Sequence, residues 1–157
     1  AARQTILLET DHKVEEVEAL AHTHYHFKDI AAAIASGSFR TAGMIVIPCS
    51  MKTLSGIAFS FSDNLLLRAA DVTLKERRRL VLVPRETPLH LGHLRVMTQL
   101  TEMGAILAPP MPAFYHRPQS LDDIINHTVG RILDRFGIPH GLTREWTGTH
   151  PPRHQPS

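Results

Sequence analysis

Two short polar segments, each directly after an apolar run, carry the residues of this chain that are best suited to chemistry. The apolar run 43–47 leads into Pro-Cys-Ser-Met-Lys-Thr at positions 48–53. The run 80–83 leads into Pro-Arg-Glu-Thr-Pro at positions 84–88. Prolines stiffen both segments, because the pyrrolidine ring fixes φ. Hydroxyl, ammonium, guanidinium and carboxylate groups therefore follow two candidate strands.

The chemistry that these segments favour is anion binding. Placed at a helix N-terminus, residues 50–53 would offer free backbone N–H groups, two hydroxyls and the ammonium of Lys52. A plain helix cap at Ser50 is the alternative. Arg85 and Glu86 could likewise form a structural ion pair or serve a ligand. Together the two segments favour a phosphate-bearing ligand at the edge of a sheet.

The elements that must position these segments are predicted from the hydrophobic pattern. Three short, continuous apolar runs predict strands buried on both faces, namely 43–47, 80–83 and 105–107. Helical patterns lie between and after them, at 52–61, 65–75, 89–103 and 120–136. This alternation predicts an α/β fold with a doubly wound parallel sheet in three layers. Ligands of such sheets bind beyond the carboxyl ends of the strands.

The rest of the chain is predicted to add helices before the first strand and a loose tail after the last helix. The predicted helices cover residues 1–8, 13–21 and 29–35. The last helix carries a capping-box pattern at Ser120 and Asp123 and stops at Gly137. Residues 1–146 are expected to form one α/β domain, and residues 147–157 a flexible tail.

Composition excludes several classes of protein. With 157 residues, 43% hydrophobic and 20% charged, the chain fits one globular domain. A net charge of +2 is too even for nucleic-acid binding by charge alone. One cysteine rules out an internal disulfide, and no apolar run approaches the length of a membrane span. We expect a cytoplasmic protein without nucleic-acid or membrane partners.

Other candidate sites are weaker. Histidines alternate at 22, 24 and 26, and His90 and His93 lie one helical turn apart, but neither set has a carboxylate or cysteine at zinc-site spacing. We therefore predict no metal site. Cys49 is expected to be a small buried residue rather than a nucleophile. The chain has no Walker, Gly-x-Gly-x-x-Gly or Gly-x-Ser-x-Gly motif, which excludes ordinary NTPases, Rossmann dehydrogenases and hydrolases.

Seven segments, in order, resemble the UbiX-type flavin prenyltransferases, whose relatives include proteins described as subunits of aromatic-acid decarboxylases. Any one segment would be a weak signal, and the likeness extends over residues 1–146. The segments are Ala-Ser-Gly-Ser-Phe at 35–39, Pro-Cys-Ser-Met-Lys-Thr at 48–53, Arg-Ala-Ala-Asp-Val at 68–72, Leu-Lys-Glu-Arg-Arg at 74–78, Arg-Glu-Thr-Pro-Leu at 85–89, Pro-Ala-Phe-Tyr-His at 112–116 and Pro-Gln-Ser-Leu-Asp-Asp at 118–123.

The resemblance implies a specific reaction. Such proteins bind FMN and join a dimethylallyl group, from dimethylallyl phosphate, to N5 and C6 of the reduced flavin without a metal. The product, prenylated FMN, is the cofactor of a UbiD-type decarboxylase in ubiquinone synthesis or phenolic-acid breakdown. The resemblance also implies a homo-oligomer, a trimer-based dodecamer with active sites at subunit contacts. Which pathway is served, and whether the donor is a mono- or a diphosphate, stays open.

The resemblance also assigns roles to residues. It places FMN against Ser50, Met51, Lys52, Thr53 and Arg85. It places dimethylallyl phosphate against Lys75, Tyr115, Arg131, Arg68 and Trp146, the last as a wall of the isoprenyl pocket. Glu86 is the candidate proton shuttle, Glu9 a second acidic site residue, and Lys75 a further catalytic candidate. Cations and a phenol suit this chemistry, because allylic C–O cleavage leaves a phosphate whose charge they stabilise.

One departure from the family pattern concerns the start of the chain. The family begins with a strand, a turn of the Gly-Ala-Ser-Gly kind, a helix and a second strand ending in serine, none of which this sequence contains. That turn normally holds the flavin phosphate at a helix N-terminus. We expect the sequence to be a fragment that lacks the first strands and the Gly-rich loop. As printed, it is expected to bind FMN poorly and to be inactive or unstable.

Two other functions stay open at this point. One is an FMN-dependent decarboxylase of hydroxyarylic acids, or a subunit of one. The other is a flavin carrier that delivers a cofactor without turnover.

Overall fold

A three-stranded parallel sheet with helices on both faces forms the centre of the computed structural model, which describes residues 2–143. The strands are β1 (Gly43–Cys49), β2 (Arg79–Pro84) and β3 (Ile106–Leu107), in the order β1-β2-β3. Both strand pairs are parallel. The predicted α/β class and the three predicted strands are confirmed.

Six α-helices accompany the strands in the described part of the chain. Their bounds are α1 Ala2–Glu9, α2 Val14–Glu18, α3 Met51–Ala58, α4 Leu65–Lys75, α5 Leu91–Glu102 and α6 Leu121–Leu133. Helix α4 has the predicted bounds, and α6 starts at the predicted capping box of Ser120 and Asp123. The C-cap position after the final 3-10 turn is Gly137, which adopts φ 63°, a left-handed conformation that favours glycine.

The predicted helix at 29–35 is wrong. The structure has turns there, followed by a 3-10 turn at Ala33–Ala35. The Asp29 side chain accepts a hydrogen bond from the backbone N–H of Ala31 at 3.2 Å, which stabilises a local turn in place of a helical start. The helix propensity of the alanines in this segment is therefore weaker than the preference for the turn that the Asp29 contact stabilises.

The side chains of β2 alternate between two clusters of buried residues, one on each face of the sheet. Leu80 and Leu82 lie in a cluster with residues of α3, α4 and α5, which we call the large-face cluster. Val81 and Val83 pack with Ile132 of α6 in the small-face cluster. The two helical layers and the sheet between them form the predicted three layers.

The prediction that the first strand is buried on both faces is wrong for its carboxyl end. Val46 is buried, but Ile47 is 55% exposed. In the described part of the chain β1 pairs only with β2, so one side of β1 has no neighbouring strand there. Residues 147–157, predicted as a tail, lie outside the described residues.

Candidate functional site

The two polar segments that the sequence singled out leave the sheet side by side. Cys49, the last residue of β1, lies opposite Pro84, the last residue of β2. Ser50 and Arg85 are the next residues of their segments, so both begin at the carboxyl edge of the same sheet. Parallel pairing therefore brings together two segments that lie 35 positions apart in the sequence.

The first segment forms the N-terminus of α3, as predicted. Ser50 is the N-cap, and its Oγ accepts a hydrogen bond from the backbone N–H of Thr53 at 3.2 Å. The Oγ atoms of Ser50 and Thr53 lie 3.0 Å apart. The first N–H groups of a helix have no intrahelical acceptor, so those of Met51 and Lys52 are available to an anion. The Lys52 side chain is exposed at the same helix end.

The second segment carries Arg85 and Glu86, which are both exposed. A carboxylate oxygen of Glu86 accepts the backbone N–H of Thr87 at 3.2 Å. Among the ion pairs of residues 2–143, none joins Arg85 to Glu86. The alternative of a structural ion pair is therefore not observed, and both charges remain available at the edge.

Cys49 lies between these segments but cannot serve as a nucleophile. The residue is 1% exposed, and burial raises the pKa of its thiol to about 12. A thiol with that pKa is protonated at neutral pH, whereas the thiolate is the reactive form. The prediction of a small buried residue is confirmed.

Arg131 lies at a cavity of about 290 Å³ between the carboxyl end of β3 and α6, and Tyr115 contacts His127, one of the residues that line it. Arg131 lines this cavity together with His127, one helical turn earlier, and apolar residues such as Ile106. The hydroxyl of Tyr115 lies 3.0 Å from Nε2 of His127. Arg131 also pairs with Asp134 at 3.2 Å. A cationic wall beside an apolar wall suits a ligand with an anionic end and a hydrocarbon end.

Arg68 and Lys75 lie on α4, against the segment 35–39. Arg68 donates its Nε–H to the carbonyl of Ala35 at 3.1 Å and pairs with Asp71 at 3.2 Å. Lys75 forms an ion pair with Glu76 and approaches Gly37, where an added Cβ would lie 2.8 Å from its Nζ. Lys75 precedes β2, so about 20 Å of strand separates it from Arg85.

The predicted site residues thus fall into three groups within one chain. The carboxyl edge holds Ser50, Met51, Lys52, Thr53, Arg85 and Glu86. Tyr115 and Arg131 form the second group, and Arg68 and Lys75 the third. Glu9 is the last residue of α1 and is exposed. Trp146 lies outside the described residues.

Sequence reasoning missed two polar residues close to these groups. His127 contacts the Tyr115 hydroxyl, and Arg78 donates to the carbonyls of Gly37 at 2.6 Å and Phe39 at 2.7 Å. The spacing of His127 four residues before Arg131, on one face of α6, was the signal that could have revealed it. No comparable pattern points to Arg78, whose partners are backbone atoms about 40 residues away.

The carboxyl edge fits a phosphorylated cofactor such as FMN. It combines available N–H groups of α3, hydroxyls of Ser50 and Thr53, and the exposed cations Lys52 and Arg85.

Within residues 2–143, no group of three potential metal ligands comes together. In the same range no helix combines the length and the apolar character needed to cross a bilayer.

Known proteins share this architecture and sequence. The Flavoprotein family profile matches residues 4–133. The flavin prenyltransferase UbiX of Escherichia coli (strain K12) is 64% identical over 150 residues, covering 94% of this chain and 79% of that protein. The chain belongs to the UbiX flavin prenyltransferase family.

Two solved structures of UbiX-like proteins superpose on the chain. A dodecameric FMN-dependent UbiX-like decarboxylase from Escherichia coli O157:H7 has a TM-score of 0.90 and 56% identity, covering 94% of this chain and 80% of the other. AnUbiX in complex with FMN and dimethylallyl pyrophosphate has a TM-score of 0.92 and 52% identity, covering 95% and 79%. The doubly wound, flavoprotein-type fold expected from the sequence is confirmed.

Proposed function

We propose that this protein is a flavin prenyltransferase, which joins the dimethylallyl group of dimethylallyl phosphate to N5 and C6 of reduced FMN. The observation that carries the proposal is the carboxyl edge, where a capped helix N-terminus lies beside Arg85 and Glu86. A UbiX relative with the same fold has been solved with FMN and dimethylallyl pyrophosphate bound, which supports both ligand classes.

At the carboxyl edge, this chain's own residues would hold the flavin. Ser50 and Thr53 offer hydroxyls, and the first N–H groups of α3 favour negative charge. Arg85 adds a cation from the neighbouring strand. When bound, reduced FMN supplies the electron-rich atoms that are alkylated, so the protein mainly orients two ligands and excludes water.

Glu86 is the proposed base. Closing the new ring removes a proton from C6 of the flavin, and a carboxylate within hydrogen-bond reach can accept it. Glu86 follows Arg85 directly and is exposed at the edge where we place the flavin. Glu9 is a second acidic candidate, and its place on α1 gives it no contact with this edge among the described hydrogen bonds and ion pairs.

The donor phosphate is the proposed ligand of Tyr115 and Arg131. Loss of that phosphate from the allylic carbon develops negative charge on oxygen, which a guanidinium and a phenol stabilise. Arg68 and Lys75 lie on α4, which packs on the face of the sheet opposite α6. We therefore assign them to a site completed by another subunit, an arrangement that the dodecameric state of a relative supports. Trp146 remains the proposed wall of the isoprenyl pocket.

The proposed product is a cofactor that another enzyme uses. We propose that prenylated FMN passes to a UbiD-type decarboxylase and that both proteins act in the cytoplasm. The proposed domain extends over residues 1–146.

A spectroscopic assay tests the proposal. Anaerobic protein with reduced FMN should give a new flavin absorbance only when dimethylallyl phosphate is added. E86Q should slow the transfer by about 100-fold, the usual contribution of a positioned base. E102Q is the matched control, because Glu102 is an exposed carboxylate at the end of α5. An unchanged rate in E86Q would remove the base role, and no new absorbance in the unaltered protein would overturn the function.

One observation favours a second candidate, because the relative from Escherichia coli O157:H7 is described as an FMN-dependent decarboxylase. That function predicts carbon dioxide from a hydroxyarylic acid and the pure FMN-loaded protein, without dimethylallyl phosphate. A flavin carrier instead predicts FMN binding with no turnover in either assay and no effect of E86Q.

A further inference from the structure

Three aromatic side chains connect the segment after β3 to α6. Tyr115 and His116 come from the segment between those elements, and His127 lies on α6. The rings of His116 and His127 are stacked, with centroids 4.3 Å apart and an interplanar angle of 8°. Tyr115 meets both histidines edge-on, at 5.5 Å and 5.7 Å. We call these three residues the aromatic triad.

The two histidines of the triad contact both the ring and the hydroxyl of Tyr115. It is 64% exposed and lies in a segment without regular secondary structure. Its hydroxyl lies 3.0 Å from Nε2 of His127, which is within hydrogen-bond distance. An exposed side chain samples several rotamers, and this contact at the tip of Tyr115 restricts them.

His127 also lies next to the second member of the proposed donor site. It precedes Arg131 by four residues, and residues with this spacing lie on the same face of a helix. Both side chains line the same cavity of about 290 Å³. His127 therefore contacts Tyr115 of an irregular segment from the same helix face that carries Arg131.

We propose that His127 is a positioning residue, whose Nε2–H donates to the phenolic oxygen of Tyr115 and so directs the phenol O–H toward the donor phosphate. This inference rests on the proposed function, in which Tyr115 and Arg131 bind that phosphate. A hydrogen bond accepted by the phenolic oxygen polarises the phenol and strengthens the bond that it donates to an anion. His127 itself does not touch the phosphate.

The surroundings of His127 support a neutral imidazole in this role. Burial, and next the neighbouring His116 and Arg131, hold the pKa of His127 below its usual value. Both ring nitrogens of His116 are buried without a hydrogen-bond partner among the described residues. His116 thus contributes a flat face to the stack and no competing donor or acceptor to His127.

The test measures donor binding and turnover in the FMN-loaded protein. With oxidised FMN, which does not react, calorimetry gives the Kd of dimethylallyl phosphate. H127F should raise that Kd about fivefold, which corresponds to about 1 kcal/mol. H127Q, whose amide can still donate, should restore it to within about twofold. With reduced FMN, the KM for the donor should rise more than kcat falls.

A double-mutant cycle connects the effect to Tyr115. Y115F should raise the Kd at least as much as H127F, and the double variant should add nothing further. H22F is the matched control, because His22 is exposed and outside the triad. Melting temperatures and the Kd of FMN should stay unchanged in all variants.

The outcomes separate this inference from the proposed function. Unchanged donor affinity in H127F, with weakened affinity in Y115F, would overturn the role of His127 alone. Weakened FMN binding together with a lower melting temperature in both His127 variants would show a purely structural role and also overturn it. No binding of dimethylallyl phosphate by the unaltered protein would overturn both proposals.

Discussion

The helical layer of α3, α4 and α5 covers its face of the sheet more completely than α6 covers the opposite face. The large-face cluster includes Leu54, Leu80, Leu82 and Leu100, each 0% exposed. Within residues 2–143, the buried members of the small-face cluster are Val81, Val83 and Ile132, and Ile45 and its neighbours are half-buried. The well-packed face holds the helix that caps the proposed flavin site, and the more open face holds the proposed donor site.

This difference follows from how the two layers are connected. Helices α3, α4 and α5 lie between successive strands, so the chain repeatedly returns to the same face. The covering of the other face comes from α6 after the last strand. In the described part of the chain α6 is the helix on that face, and the cavity beside His127 and Arg131 lies there.

The largest expected effect compares two neighbouring residues of β2. L82A removes a fully buried side chain from the large-face cluster and should lower the free energy of unfolding by about 3–4 kcal/mol. V81A, on the opposite face, should cost about 2 kcal/mol, because two carbon atoms are lost instead of three and the face is less closely packed. Urea denaturation measures both. Equal losses would contradict the difference in packing between the faces.

The next effect compares one glycine on each face. An added Cβ at Gly56 would lie 2.8 Å from a methyl group of Leu67, which is buried in the large-face cluster and cannot easily move. G56A should therefore cost about 2 kcal/mol. At Gly130 the added Cβ would meet Thr143 and His140. The nearer atom is a methyl group of Thr143, at 2.5 Å, in an irregular segment outside both clusters of buried residues, so G130A should cost less than G56A.

The caps of α3 and α6 give a smaller effect. S120A removes the Oγ that accepts the N–H of Asp123 and should cost about 1 kcal/mol, as S50A should for α3.

Backbone N–H groups of Gln119 and Ser120 lower the pKa of Asp123. Because that pKa lies below the unfolded value, its stabilising contribution is complete above the unfolded value and is lost as the pH falls through the folded pKa. Acid denaturation of D123N, which lacks the titrating carboxylate, should accordingly depend on pH less steeply than that of S120A, whose Asp123 keeps both backbone N–H donors, and equal slopes would contradict this.

The smallest expected effect is the lack of reaction of the Cys49 thiol with a disulfide reagent. With a pKa of about 12 and 1% exposure, the Cys49 thiol should not react with a disulfide reagent at pH 8 while the protein is folded. It should react once the protein is unfolded in guanidinium, which serves as the control. Rapid labelling of the folded protein would show that the carboxyl end of β1 opens.

Much of the fold was predictable because the signals are local. Continuous apolar runs gave the strands of 80–83 and 105–107, and the pattern of Ser120 and Asp123 gave the start of α6. The segment 29–35 was mispredicted because one side chain, Asp29, outweighs the helical preference of several alanines. Exposure of Ile47 depends on which strands flank β1, and a residue pattern within the strand carries no such information.

The site was predictable only where strand order determines it. Parallel pairing of β1 and β2 places Ser50 beside Arg85, as the rule for carboxyl ends predicts. The contact of His127 with Tyr115 depends on the path of an irregular segment, for which the sequence has no periodic signal. The separation of Lys75 from Arg85 follows from the direction of α4 relative to β2.

The matched register at the ends of β1 and β2 has a consequence for engineering. Because Cys49 and Pro84 fix where both connections leave the sheet, residues 87–89, between Glu86 and the N-cap His90 of α5, can be exchanged for a connection of another length without moving either strand. New ligand preferences at this edge can therefore arise by swapping one surface connection, while the buried scaffold that supports it stays the same.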